Sequence, residues 1–332
     1  MDVEIRLAEI NGEQQTNLVH GKKGQIPTIF YTIALLVVVG FIFVIGNSNF
    51  ISAYNLNTIA SFGAILLMVA LGQMCAILIG GIDLSVGGVM SFISVVFVKV
   101  VPTTGYWAYP LCILLGIFIG YLNGNILTRI RIPSFIATLG TGGILMSLAM
   151  LVAPVPVNVP AQSWGLLDIF NGSFLNINNA LYISLLVFLL YSFVLRFTIM
   201  GRNIFYVGSN IKMSWMSGID VVKTRNIAFM LSGFGATMAG IMVSATSLGS
   251  NPYVGSPYIL NSIASVVVGG TALTGGIGGA LNTLFGALLL SVLQNGMNVV
   301  GVNQYFQQSI LGLMIIISVV LTFDRSKTPV IK

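Results

Sequence analysis

The sequence GGIDLSVGG at residues 80–88 separates two long apolar runs and contains Asp83, the only charged residue between Lys23 and Lys99. A carboxylate within an apolar region costs a few kcal/mol unless it has partners or contact with water. The flanking glycines permit positive φ, so this pattern predicts that one helix ends here and another begins at 84–85. Asp83 would then accept bonds from the first N–H groups of the new helix. The alternative is a tight turn with a capping aspartate and no further role.

The composition of the chain predicts an integral membrane protein. Of its 332 residues, 56% are hydrophobic and only 7% are charged, against roughly 25% charged residues in soluble domains. Such a chain cannot cover a globular surface with polar groups, so we expect membrane lipid to surround an all-α polytopic fold. The net charge of +6 does not indicate nucleic-acid binding, because the basic residues lie between apolar segments and form no single patch.

Ten apolar segments approach the length of about 20 residues that a spanning helix needs. The predicted spans are 28–47, 56–80, 84–101, 107–129, 133–153, 178–197, 226–248, 259–274, 278–298 and 303–323. The long segment 56–80 and the short segment 259–274 are also open to interpretation as broken or re-entrant. We therefore expect a tail at 1–27, a transmembrane domain at 28–323 and a second tail at 324–332.

Charge fixes the predicted orientation of these spans. With the N-terminus inside and ten alternating crossings, every one of the 14 lysines and arginines except Lys99 faces the cytoplasm. Both termini are then predicted to be cytoplasmic. Residues 154–177 would form an external segment rich in proline, and residues 198–225 would form a long cytoplasmic loop.

An internal repeat is suggested by two pairs of segments. YNLNTIA at 54–60 resembles YILNSIA at 258–264, and GGIDLSVG at 80–87 resembles GGTALTGG at 269–276. The pairs cannot be aligned together without a gap of 15 residues, since their offsets are 204 and 189. Chance similarity of glycine-rich segments is the alternative. Helices broken at matching places in two halves are typical of translocation sites.

The polar residues within the apolar segments are mostly amides and hydroxyls, which can bind sugar hydroxyls but also serve helix packing. No nucleotide-binding P-loop and no carboxylate–histidine relay is present, so active transport would need a separate ATPase. We predict no catalytic site, cofactor or metal. The candidate residues for a translocation pathway or gate are Gly80, Gly81, Asp83, Ser85, Gly87, Asn123, Asn125, Thr138, Gly269, Gly270, Thr271 and Thr274.

Four motifs in sequence order resemble those of the permease subunits of bacterial ABC importers, in the ribose-type carbohydrate branch. They are GGIDLSVG at 80–87, IPSFIATLG at 132–140, a set of loop residues between 201 and 219, and IASVVVGGT at 263–271. The similarity runs from about residue 45 to residue 323. Two departures are Met213-Ser214, where the family often has two alanines, and Met146-Ser147, where it commonly has arginine and glycine.

The resemblance implies a bacterial inner-membrane transport subunit that carries a monosaccharide such as ribose. It implies a cytoplasmic ABC ATPase, an external or periplasmic sugar-binding protein and a second permease subunit, identical or related. The loss of the membrane arginine weakens any inference of the substrate from closer relatives. A nucleoside or an amino acid is the alternative solute, and a secondary transporter is the alternative class.

Loop 198–225 is predicted to couple the chain to the ATPase. Gly208-Ser209-Asn210 can break and cap, residues 211–217 can form about two helical turns, and Gly218 can end them. Met213, Trp215 and Met216 would give this helix adaptable apolar contacts for a partner. The basic residues of the loop are also explained as signals that set the orientation of the chain in the membrane. The candidate coupling residues are Arg202, Tyr206, Gly208, Asn210, Met213, Trp215, Met216, Gly218 and Ile219. The external segment 154–177 is predicted to dock the binding protein, or else to cover the pathway passively.

Overall fold

The computed structural model describes residues 28–175 and 177–322 of the chain. The two predicted tails, 1–27 and 324–332, lie outside the described residues. Within the described residues the chain is almost entirely helical, and its four strands have only two residues each. The predicted all-α fold class is confirmed.

Thirteen α-helices occur in the described residues. In chain order they are α1 (Thr28–Gly46), α2 (Ala53–Leu78), α3 (Val86–Thr104), α4 (Ala108–Asn125), α5 (Ser134–Val152), α6 (Asp168–Asn171), α7 (Asn179–Phe197), α8 (Ile199–Ser209), α9 (Ile211–Met216), α10 (Val221–Thr246), α11 (Ser256–Val268), α12 (Ala280–Val300) and α13 (Gln304–Thr322). A π-helical turn, Ile126–Ile130, extends α4. Each predicted span coincides with one of these helices.

Seven stretches of the described chain are long and apolar enough to cross a membrane, and one of them, Val86–Ile130, comprises both α3 and α4. Helix α11 has only 13 residues and is shorter than a bilayer span. The structure therefore has the helices of a polytopic membrane protein, while the count of ten crossings stays a prediction.

The two predicted spans that could be broken or re-entrant, 56–80 and 259–274, have different structures. Predicted span 56–80 is one unbroken helix, α2, of 26 residues. Predicted span 259–274 contains α11, which ends at Val268 and is followed by irregular, glycine-rich chain over residues 269–279. Only the second segment is broken within its predicted bounds.

Helices α2 and α10 form the centre of the bundle, and glycines allow α10 to touch its neighbours backbone to backbone. A Cβ on Gly120 of α4 would overlap the Phe229 carbonyl of α10. A Cβ on Gly235 of α10 would lie 2.9 Å from the Cα of Gly72 in α2. Small residues permit such approach between membrane helices, and these glycines serve packing, as expected.

The bundle has two distinct ends. One end, called the basic end below, contains the loop 198–225, the last residues of α2 and α4, and the first residues of α5 and α10. These parts lie together, because Gly81 packs on Ser134 and Gly124 packs on Asn226. The basic end carries Arg129, Arg131 and Arg225.

At the opposite end, segment 154–177 is folded onto the bundle. Its strand β1 (Val157–Asn158) pairs antiparallel with β4 (Gly249–Ser250), and β2 (Ser173–Phe174) pairs with β3 (Ile177–Asn178). The Tyr109 hydroxyl of α4 donates to the carbonyl of residue 166 at 2.6 Å. Segment 154–177 is thus attached to the bundle through residues 249–250 and α4.

Candidate functional site

The predicted end and restart of a helix at residues 79–85 is confirmed. Helix α2 ends at Leu78, and Gly80 follows with φ of +74°. The N–H of Gly81 donates to the carbonyl of Ala76 at 2.9 Å, and that of Gly80 donates to Ile77 at 2.8 Å. This pair of bonds closes the helix as a Schellman motif, for which glycine in the left-handed region is suited. Helix α3 begins at Val86, one residue later than expected.

Asp83 lies at the centre of a buried polar network. Its side chain is 1% exposed. Oδ1 accepts bonds from the N–H of Ser85, at 2.9 Å, and from the Ser85 hydroxyl. Oδ2 accepts a bond from the Ser232 hydroxyl of α10 at 2.7 Å. The predicted bond from the backbone to Asp83 is therefore present, but its donor is Ser85, which precedes α3, so Asp83 closes a turn ahead of the helix and does not cap its first turn. Ser232 ties the same carboxylate to α10.

Two amides extend this network to α2 and α4. The Asn123 amide of α4 donates to the Ser85 hydroxyl at 2.8 Å. The Gln73 amide of α2, oriented so that both of its polar atoms are satisfied, donates to the Asp83 carbonyl at 2.8 Å and accepts from the Asp83 N–H at 3.3 Å. Asp83 thus bonds to α2, to α10 and to Ser85 ahead of α3, and Ser85 extends the network to α4, which makes Asp83 a brace between these helices.

The first turn of α5 supports the same break. The Ser134 hydroxyl accepts from the N–H of Ile82 at 3.0 Å, and the Thr138 hydroxyl accepts from the N–H of Leu84 at 2.9 Å. These bonds satisfy backbone groups that no helix satisfies, since residues 79–85 are irregular. Thr138, one of the predicted pathway residues, thus has a structural role at the break.

Most of the polar candidate pathway residues are packed inside the chain. The side chains that are at most 1% exposed are those of Asp83, Ser85, Asn123, Thr138 and Thr271. They face other helices of the same chain and line no open passage in this conformation. We expect them to influence transport through the break that they hold.

The other candidate pathway residues are dispersed. Gly87 packs against the side chain of residue 259 in α11, and Gly269 packs against the start of α12. The Asn125 side chain bonds to the amide of Asn226 at 3.4 Å, and Thr274 is exposed at the basic end. These residues are not brought into one cluster with Asp83.

A second break follows α11 and lies directly beside the first. Gly270, Gly275 and Gly276 adopt φ of +99°, +87° and +74°, which glycine tolerates. The N–H of Gly276 donates to the carbonyl of Leu78, the last residue of α2, at 2.9 Å. The two segments that resemble each other in sequence therefore meet at the basic end, where the break after α11 is bonded to the end of α2.

The last turn of α8 packs against the place where the two breaks meet. A Cβ on Gly208 would overlap the Leu78 carbonyl oxygen and would lie 2.6 Å from the nitrogen of Gly276. We call Leu78, Gly80, Gly208, Gly275 and Gly276 the glycine junction. The break and cap predicted at Gly208-Ser209-Asn210 occur at Asn210, between α8 and α9. Gly208 itself is helical in the last turn of α8, and its missing side chain allows the loop to touch both breaks.

Helix α9 matches the predicted short helix of the loop. The Asn210 side chain caps it by accepting from the N–H of Met213 at 2.9 Å, and Gly218 ends the turn after it with φ of +79°. Trp215 and Met216 are each 71% exposed, and Met213 is 65% exposed. An exposed apolar cluster of this kind is suited to a partner surface.

A cavity of about 400 Å³ adjoins this cluster. Its lining includes Tyr206, Ser209, Met213, Ser214 and Ile219. We call Tyr206, Met213, Trp215 and Met216 the coupling surface. Arg202, the remaining candidate, is exposed on α8.

Three residues of the site escaped the sequence interpretation: Gln73, Ser134 and Ser232. Each is a polar residue in an apolar helix, a signal that many packing residues share. Helix α8 was also missed, because its glycines at 201 and 208 lower its intrinsic helix propensity.

Comparison with known proteins decides the family. The model of the family described as the permease component of branched-chain amino acid transport systems matches residues 55–319. The ribose import permease RbsC of Escherichia coli strain K12 is 34% identical over 298 residues, covering 87% of this chain and 91% of its own. The chain belongs to the permeases of ribose-type ABC importers.

Other relatives of this permease agree. The ribose import permease RbsC of Haemophilus influenzae is 32% identical and covers 86% of this chain and 90% of its own. The D-allose transport system permease AlsC of Escherichia coli strain K12 is 29% identical, covering 82% and 84%. A solved structure titled as an inward-facing metal-chelate type ABC transporter has 16% identity and a TM-score of 0.47, covering 89% and 96%, and we draw nothing further from that likeness.

Proposed function

We propose that this permease forms the membrane pathway for ribose or a similar monosaccharide in an ATP-driven importer. The names of the relatives support a sugar, because they include ribose import and D-allose transport permeases. The polar side chains within its helices are mostly amides and hydroxyls, which suit an uncharged solute. A small amino acid is the second candidate, favoured by the description of the matching family model; a nucleoside and a secondary transporter stay as weaker alternatives.

The basic end is proposed to face the cytoplasm. Arginines and lysines next to membrane helices favour the cytoplasmic side, and this end gathers Arg129, Arg131 and Arg225 together with the basic residues of loop 198–225. Both termini would then be cytoplasmic. The opposite end, with segment 154–177 and strand β4, would face the external binding protein.

The observation that carries the mechanism is the coupling surface and its connection to the glycine junction. The chain has no nucleotide-binding motif, so force from an ATPase must enter through a contact at its surface. Trp215 and Met216 expose apolar area that nothing in the described chain covers. One short helix away, Gly208 touches the end of α2 and the glycine-rich break that follows α11.

This geometry suggests how ATP could drive import. Movement of the ATPase would shift α9 and α8 together, and Gly208 would transmit the shift to the two breaks. Glycines at positive φ permit the backbone to change direction at low cost. The bonds from Asp83 to Ser85 and Ser232 would make α3 and α10 follow the end of α2. Alternating access by rocking of helices around such breaks is common in transporters.

A second permease subunit, identical or related, is part of the proposal. Helix α5 is exposed along one side, including Ile136 and Ile144 at 51% and 62%. Gly140 and Gly143 on this side have open space where a Cβ would stand. An apolar face with small residues is suited to close helix packing in a membrane.

Uptake of labelled ribose tests the function. Cells that lack their own ribose importer should take up ribose when they produce this permease with its ATPase and binding protein, and uptake should stop when ATP is depleted. Cells without the permease serve as the control. Uptake that persists after ATP depletion would identify a secondary transporter, and competition by amino acids but not by sugars would reassign the solute.

The coupling surface is tested by Trp215→Ala combined with Met216→Ala. Central apolar anchors of an interface typically contribute about 2 kcal/mol or more each, so the variant should lose the ATPase during extraction in mild detergent and lose uptake. It should still reach the membrane, since both side chains are exposed. Trp107→Ala is the matched control, because Trp107 is 74% exposed at the opposite end. Normal recovery of the ATPase with the double variant would place coupling elsewhere.

A further inference from the structure

A cavity at the basic end is lined by two arginines and by no acidic residue. It has a volume of about 630 Å³, and its lining includes Gly81, Thr128, Arg131, Ser134 and Arg225. It lies between the first glycine break, the π-helical turn after α4, and the starts of α5 and α10. Nothing in the proposed sugar pathway requires two positive charges at this place.

The charges in this cavity have no counter-ion within the described chain. The described residues contain three carboxylates. Asp83 is bonded to serines, Asp220 caps α10 by accepting from the N–H of Lys223, and Asp168 lies at the opposite end. The Nε of Arg225 is buried and has no hydrogen-bond partner. A half-buried guanidinium group without an anion is unfavourable, so Arg225, with the exposed Arg131 at the same cavity, favours binding of an external anion.

The backbone adds to the positive field of the cavity. Helix α5 has 19 residues and starts at Ser134 with no side-chain cap, because Pro133 precedes it. The free N–H groups of a helix start attract anions. Arg131 holds a left-handed conformation, with φ of 62° and ψ of 33°, at the end of the π-helical turn. A residue other than glycine rarely adopts this conformation, and here it places Arg131 in the lining.

We propose that this cavity binds the phosphate group of an anionic phospholipid, such as phosphatidylglycerol. The phosphodiester supplies the missing negative charge and can accept bonds from both guanidinium groups. The apolar part of the lining, which includes Leu127, Ile132 and Phe135, suits the glycerol and the upper acyl chain. Basic pockets between membrane helices at the cytoplasmic side are known to hold anionic headgroups.

Binding at this place would affect the first glycine break, since Gly81 and Ile82 belong to the lining. The lipid would therefore act as a structural ligand that holds the start of α5 and the break together. The site is independent of the identity of the solute, so a wrong sugar assignment would leave the inference intact.

Native mass spectrometry of the purified full-length permease tests the site. Delipidated protein is titrated with phosphatidylglycerol, with phosphatidylcholine and with inorganic phosphate. We expect preferential binding of phosphatidylglycerol. Combined Arg131→Gln and Arg225→Gln should weaken it about tenfold or more, because hydrogen bonds between charged groups are strong. Arg131→Lys keeps the charge but loses the planar guanidinium group. Its affinity for phosphatidylglycerol should lie between those of the unmodified protein and the double variant.

Arg129→Gln is the matched control, because Arg129 is exposed in the same turn but does not line the cavity. It should bind phosphatidylglycerol like the unmodified protein. Equal binding of phosphatidylglycerol and phosphatidylcholine, or an unchanged affinity in the monodisperse double variant, would overturn the proposal. Displacement of the lipid by inorganic phosphate would show a site for free phosphate instead. If the double variant still binds the lipid and loses only the ATPase, the arginines belong to the contact with the ATPase.

Discussion

Gly208→Val is expected to abolish ribose uptake while the permease still reaches the membrane. The new side chain would collide with the Leu78 carbonyl oxygen and with the nitrogen of Gly276, and both are backbone atoms of other segments. Overpacking generally costs about 1–3 kcal/mol, and rigid backbone cannot give way as a flexible side chain can. Helix α8 must therefore move off the glycine junction, which separates the coupling surface from the two breaks.

Three measurements make this result interpretable: uptake, the amount of permease in the membrane, and recovery of the ATPase with it. We expect loss of uptake with retained ATPase, because α9 itself is unchanged. Gly40→Val is the matched control, since Gly40 lies in helix α1 with no atom within 4 Å of its Cβ position. Undiminished uptake by Gly208→Val at equal membrane levels would show that force does not pass through the junction.

Asp83→Ala should lower both the thermal stability of the purified permease and its uptake of sugar. Loss of the turn that Oδ1 closes on Ser85 should cost as much as loss of a helix cap, about 0.5–2 kcal/mol. The Ser232 hydroxyl of α10 would also lose its bond to Oδ2. A buried donor left without a partner costs about 1–3 kcal/mol. We therefore expect a total loss of stability of about 1.5–5 kcal/mol, seen as a lower melting temperature in detergent.

Ser232→Ala separates the two parts of this effect. It removes the bond to α10 and leaves the bonds between Asp83 and Ser85, so its loss of stability should be clearly smaller than that of Asp83→Ala. Asp168→Ala is the control, because that carboxylate is exposed at the opposite end and outside the network. If Asp83→Ala leaves both the melting temperature and the uptake rate unchanged, Asp83 is not a brace between the helices.

Local sequence was sufficient for the helices and their breaks. Apolar runs of about 20 residues predict helices in a membrane, and each predicted span overlaps one in the structure. The break at Gly80 and the bond from Ser85 to Asp83 involve residues within a few positions of each other. The same holds for α9, which depends on Asn210 before it and Gly218 after it. These features follow from backbone preferences that act over one or two turns.

The sequence also predicted an exposed apolar helix in loop 198–225, since nothing about orientation requires a tryptophan there. Trp215 is indeed 71% exposed. The assignment of the family rests on motifs that are continuous in sequence, and comparison with the ribose import permeases confirms it. The assignment of the sugar stays a proposal, because substrate contacts depend on details that these motifs do not contain.

Only the tertiary structure could show which distant residues meet. Ser232 lies 149 positions from Asp83 and bonds to it because α10 crosses the end of α2 at the required depth. Gly208 looks like a helix breaker by its type, yet it is helical and permits a contact between three segments. Arg131 and Arg225 share one cavity although 94 positions separate them. Local preferences fix where each helix begins and ends, whereas the packing of side chains between helices decides which ends come together.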